Sequence, residues 1–137
     1  MDSNQKQRLI QAALDARENA YCPFSHFAVG AAVLSENGDI FSGCNVEVSA
    51  YSTTLCAERN ALFHAVGTGE RRFTAVCIAG GKAGEPVSDF CPPCGVCRQA
   101  LLEFAVSPET FEIILFNGTQ EKVYTLSQLL PLGFKET

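Results

Sequence analysis

A chain of 137 residues, 47% hydrophobic and 18% charged, has the balance of an ordinary globular domain with room for one substantial core. Its formal net charge of −5 excludes the binders of phosphate backbones, which carry a basic stripe, and favours a small or neutral substrate. No apolar run approaches the roughly 18 residues of a membrane span, and the polar, periodic N-terminal stretch lacks the basic and apolar regions of a secretory leader. The expectation is a single domain over residues 1–137, cytoplasmic, with neither membrane nor nucleic acid among its partners.

From Ser3 to Ala20, Leu9, Ile10, Ala13 and Leu14 recur at helical spacing, with Ser3 available as a cap and Pro23 as a stop. Phe27 to Leu34 is nearly continuous apolar sequence and predicts a buried strand. Asn37-Gly38 is a hairpin signal, so Ile40 to Cys44 is expected to return antiparallel beside it. Residues 45–55 have no period and predict a loop, a common place for binding groups.

Cys56 to Gly67 predicts a helix burying Ala57, Ala61, Leu62, Ala65 and Val66, capped by Thr53 or Thr54. Phe73 to Ala79 predicts a strand, and the glycine- and proline-rich residues 80–93 a loop. A second core helix is expected from Gly95 to Val106, then a strand from Phe111 to Phe116. Asn117-Gly118 marks a turn, Lys122 to Thr125 a short strand, and Ser127 to Leu130 a final short helix. This order predicts an α/β domain with a mixed five-stranded sheet and helices on both faces.

Seven cysteines is an odd number, and their clustering suggests metal ligands more than a disulfide framework. Cys94-Gly95-Val96-Cys97 can aim two thiolates at one ion, and Cys56 supplies a third. Three protein ligands with a fourth position open is the pattern of catalytic zinc, here one Zn²⁺ per subunit. All three cysteines fall at predicted helix N-termini, which favour thiolates.

Glu58 follows Cys56 by two residues, and positions i and i+2 diverge by about 200° inside a helix. The pair can serve one target only if Cys56 begins the helix, and Glu58 is then an acid or base beside the metal and not a ligand. Three thiolates on one zinc leave an excess negative charge. Arg59 and Arg98 are the candidates to donate hydrogen bonds to the sulfurs. Cys91 leaves a rival open, a closed four-thiolate structural site in an interaction module. Cys22, Cys44 and Cys77 read as small buried hydrophobes, His26 as a loop residue and His64 as a helix-face residue.

Cys56-Ala57-Glu58-Arg59 together with Pro93-Cys94-Gly95-Val96-Cys97-Arg98-Gln99 resembles the zinc-dependent cytidine/deoxycytidylate deaminase family. The resemblance extends through Tyr21 to Ala32, Gly43-Cys44-Asn45-Val46-Glu47 and Leu129-Leu130-Pro131, and is nearest to the small homotetrameric type. It implies a three-layer α/β/α fold and hydrolytic deamination of cytidine and deoxycytidine in pyrimidine salvage. By matching position, it makes Glu58 the proton carrier and Cys56, Cys94 and Cys97 the zinc ligands. It also implies that the Ala57 backbone meets the base and that Asn45 and Glu47 bind the sugar hydroxyls. Phe27 would pack on the nucleoside, and Phe134 would stack on the base in a neighbouring subunit. A deaminase of a cytosine-containing antibiotic such as blasticidin S shares the metal motif and stands as the enzymatic alternative.

Overall fold

The turn at Asn37-Gly38, where Gly38 has φ 92°, sets the first registration of the sheet. It folds strand β2 (Ile40–Cys44) back on β1 (Phe27–Ser35), pairing Leu34 with Ile40 and Gly30 with Cys44. On its other edge β1 pairs antiparallel with β3 (Phe73–Lys82), which pairs parallel with β4 (Glu112–Phe116). Strand β5 (Glu121–Thr125) closes the far edge, giving the order β2-β1-β3-β4-β5 in a mixed five-stranded sheet. The computed structural model describes residues 1–136.

Alternation along each strand divides the core in two. Ala31, Val33, Val76, Ile78, Ile113 and Leu115 point to one face, where they meet helices α2 (Ala57–Gly67) and α3 (Gly95–Phe104). Ala32, Leu34, Ala75, Cys77, Ala79 and Ile114 point to the other, under helix α1 (Ser3–Arg17) with its Leu9, Ile10 and Ala13. Strands buried on both faces explain why the sequence shows unbroken apolar runs there. The expected three layers are present. A short helix α4 (Leu126–Leu129) follows β5, opened by a capping box between Thr125 and Gln128.

Several boundaries differ from expectation, some for local reasons and some through pairing with distant segments. Helix α1 is capped by Asp2, not Ser3, because Asp2 is extended and its carboxylate accepts from the Gln5 amide at 2.7 Å. It also ends at Arg17, whose buried guanidinium donates to the carbonyls of Ala28 and Lys82. Strand β3 continues through Gly80–Lys82, a stretch that reads as loop, because those residues pair with Phe27–Val29. Helix α3 stops at Phe104, since Ala105 turns extended to bridge Phe73. Neither Thr53 nor Thr54 caps α2; Thr53 lies in a short 3-10 turn, and Thr54 accepts from the Val48 amide.

Gly30 lies where α1 crosses the sheet. A Cβ there would sit 1.9 Å from the Ala13 carbonyl oxygen, so only glycine permits this approach. Among the described residues, no helix is long and apolar enough to cross a membrane.

Candidate active site

Helices α2 and α3 cover the same face of the sheet, and both begin at one cleft. Cys56 is the N-cap of α2, extended at φ −70° and ψ 152°, so the helix proper starts at Ala57. Cys94 holds the same position on α3, at φ −68° and ψ 168°, and Cys97 follows in the first turn. The thiol sulfurs of Cys56, Cys94 and Cys97 all lie within 4.8 Å of one another. Three sulfurs on one tetrahedral zinc at ~2.3 Å stand about 3.8 Å apart, a separation inside that 4.8 Å limit. The donor set, three sulfurs gathered at two helix starts, therefore suits a zinc ion.

Arg59 supplies a second sign of fit. Its Nη2 donates to Cys56 Sγ at 3.4 Å, and its buried Nε has no partner among the described residues. A guanidinium so placed is held against sulfur charge. The shifts at the site agree in direction. A hydrogen bond from the Cys97 thiol, followed by the Arg59 guanidinium, draws the Cys56 thiol down to about 5. The same shared proton, with burial, pushes the Cys97 thiol up.

Glu58 is 6% exposed, in the first turn of α2. Burial, with the Cys56 charge adding, pushes its carboxyl up to about 7. A dication on the neighbouring sulfurs would draw it back toward the ionised form. Cys56 does begin the helix, as the Cys-x-Glu spacing requires. Arg98 does not serve the sulfurs. Its Nε donates to the Pro93 carbonyl at 2.7 Å and its Nη1 to the Leu129 carbonyl at 2.9 Å, fastening the Cys94 turn to α4.

Cys56, Cys94 and Glu58 stand in the wall of a largely apolar cavity of about 330 Å³, which Phe27, Asn45, Glu47 and Ala57 also line, with Cys97 buried behind them. Asn45 extends the β1–β2 pairing with its side chain, accepting from Val29 N at 2.9 Å and donating to Phe27 O at 2.8 Å. Buried Glu47 accepts from the amides of Phe24 and Ser25, each at 3.0 Å, and from the Ser25 hydroxyl. The Ser25 hydroxyl is the main cause holding its carboxyl below the usual range. Each side chain keeps hydrogen-bonding capacity beyond these partners.

Phe134 is not among the residues lining this cavity, and it is 73% exposed. Ser25, Tyr51 and Cys91 line the cavity, and the sequence reading did not place them there. The Ser25 role was hidden in an irregular loop that turns through His26 at φ 57°. Cys91 stands outside the three-sulfur cluster, its thiol facing the Asp89 carbonyl at 3.8 Å and raised in pKa by burial. His64 faces the Ser42 carbonyl at 3.2 Å, and neither histidine joins the sulfurs. Cys77 is buried as expected, but Cys22 and Cys44 are partly exposed, because they lie at strand and loop margins.

Residues 3–111 match the family model of the cytidine and deoxycytidylate deaminase zinc-binding region. The chain belongs to this family. A cytidine deaminase from Sporosarcina psychrophila is 45% identical over 130 residues, covering 95% of this chain and 91% of the relative. The crystal structure of cytidine deaminase from Burkholderia pseudomallei superposes with a TM-score of 0.83 at 39% identity, covering 98% of this chain and 100% of that one. A blasticidin-S deaminase from Bacillus cereus is more distant, 30% identical over 135 residues, with 96% of this chain and 94% of the relative covered. Family membership and the three-sulfur cluster together make this a zinc-binding deaminase domain.

Proposed function

We propose that the chain hydrolyses cytidine and deoxycytidine to uridine and deoxyuridine with release of ammonia, as a zinc enzyme of pyrimidine salvage. The observation that carries this reading is the convergence of three cysteine sulfurs beside a buried glutamate, with Cys56, Cys94 and that glutamate lining a cavity with room for a small ligand. Cys56, Cys94 and Cys97 would hold the zinc. Bound there, zinc supplies Lewis-acid activation of a water molecule for attack at C4 of the pyrimidine.

The remaining work belongs to the chain. Glu58 accepts the proton of the attacking water, delivers it to N3 of the ring, and carries another to the departing amino group. Burial raises the Glu58 carboxyl and the zinc charge would lower it, opposing influences that suit a group which both takes up and releases a proton. The Ala57 backbone, fixed at the first residue of α2, meets the edge of the base. Asn45 and Glu47 offer their spare acceptors and donor to the sugar hydroxyls, and the Phe27 ring packs on the nucleoside. Arg59 balances the sulfur charge. Phe134 reaches the base in a neighbouring copy, which calls for a homotetramer, and the setting is cytoplasmic.

Ultraviolet-monitored conversion of cytidine to uridine tests the reading, with blasticidin S and cytosine run alongside. Turnover of cytidine alone supports it. Turnover of blasticidin S alone moves the substrate to the antibiotic class, and a zinc-loaded protein inert on all three is a structural module.

A further inference from the structure

Residues 130–136, past α4, lie in no helix or strand, yet one of them is held through both its backbone N–H and its carbonyl. The Gln99 side-chain amide donates from Nε2 to the Phe134 carbonyl oxygen, and its Oε1 accepts from the Phe134 amide at 3.2 Å. The preceding residue, Gly133, is pressed against Leu102 of α3 and against Leu130, the residue that ends α4. A Cβ at Gly133 would meet Leu102 Cδ2 at 2.5 Å and Leu130 Cδ2 at 2.6 Å. The Phe134 backbone is thus pinned while its ring stays 73% exposed.

Two hydrogen bonds and a close backbone approach fix a residue whose side chain makes little use of its own chain. A tail that merely packed would bury its aromatic ring, because that burial is the larger source of stability. This one does the opposite: it orients the ring outward. The clamp also has a definite origin. Gln99 lies two residues beyond Cys97 on α3, so one rigid helix carries both a candidate zinc ligand and the support of the exposed ring.

We infer that Gln99 is a positioning residue that presents Phe134, through its backbone, to the substrate cavity of a second copy of this chain. This rests on the reading above that Phe134 stacks on the base in a neighbouring subunit. Gln99 touches neither substrate nor metal. Its effect is to reduce the freedom that the tail must lose when the ring closes over a bound base. That effect belongs to binding, so it is felt in KM and not in kcat.

The test is a double-mutant cycle on the full-length, zinc-loaded enzyme, with Gln99→Met, Phe134→Ala and both together assayed on cytidine. Gln99→Met is expected to raise KM about fivefold, the loss of two part-exposed hydrogen bonds, with kcat within about twofold of the parent. In the Phe134→Ala background the same change should add nothing further. A Gln99→Met enzyme with parental KM overturns the inference while leaving the stacking role of Phe134 intact. Parental KM in Phe134→Ala overturns the stacking role and the inference with it. Effects that multiply, or a Gln99→Met chain that sheds zinc or sediments as a smaller assembly, refute it as well, since Gln99 would then serve the fold.

Discussion

Replacing Arg59 by Gln removes the cation that faces the sulfurs and leaves the rest of α2 unchanged. Glutamine is too short to reach Cys56 Sγ, now 3.4 Å from Nη2, and carries no charge. A hydrogen bond to a charged group contributes about 1.5–3 kcal/mol. Because Arg59 is only part-buried, solvent screening favours the lower end of that range, which corresponds to a loss of about tenfold in zinc affinity. Competition against a chromophoric chelator measures the affinity, and kcat on zinc-saturated protein measures the chemistry separately. The substitution should also allow the Cys56 thiol to move up from about 5, although the Cys97 hydrogen bond remains. Zinc affinity and turnover both within twofold of the parent would remove Arg59 from any role at the metal.

Other substitutions separate the remaining assignments. Glu58→Gln keeps the volume and removes the carboxylate proposed to carry the proton, so it should retain one zinc per chain yet deaminate cytidine at least about a hundredfold more slowly; near-parental turnover would refute its role. Cys91→Ser should leave zinc content unchanged by atomic absorption, since Cys91 stands outside the three-sulfur cluster, whereas a four-thiolate structural site would release the metal. Gly30→Ala should lower stability on the order of 3 kcal/mol in denaturant titration, because its Cβ would fall 1.9 Å from a helix carbonyl; parental stability would mean that α1 can lift without cost.

Strands β1, β3 and β4 were legible because they are buried on both faces and so carry unbroken apolar runs. β2 was legible to the residue, since Asn37-Gly38 fixes both the turn and the register. The ends of β3 and α3 were not legible, because tertiary pairing decides them: Gly80–Lys82 against Phe27–Val29, and Ala105 against Phe73. The Cys94 and Cys97 pair followed from spacing, because a thiolate at an N-cap and one three residues along are local geometry, whereas Cys56 joins them only through the packing of α2 beside α3. The roles of the arginines were not separable in that way. Arg59 and Arg98 each follow a ligand segment closely, but one faces sulfur and the other two carbonyls, a difference set by the packing of α4. The Gln99 clamp joins residues 35 apart and left no local signal.

The charge at the site explains why these particular helices meet here. Three thiolates and the Glu58 carboxylate amount to four negative charges gathered in a chain that is already net −5. Zinc's two charges, Arg59's one and about half a charge from each of two helix N-termini match them. The helix ends are built in by the common face that α2 and α3 cover, so the sheet topology contributes directly to the electrostatics. Protons are the alternative means of neutralisation, and the shifts lie where this argument puts them: Cys97 and Glu58 raised, Cys56 lowered beside the guanidinium. Zinc and protons therefore compete for the same charges, and metal uptake must release protons. Losing Arg59 tilts that competition toward protons, so the affinity lost in Arg59→Gln should widen as the pH falls.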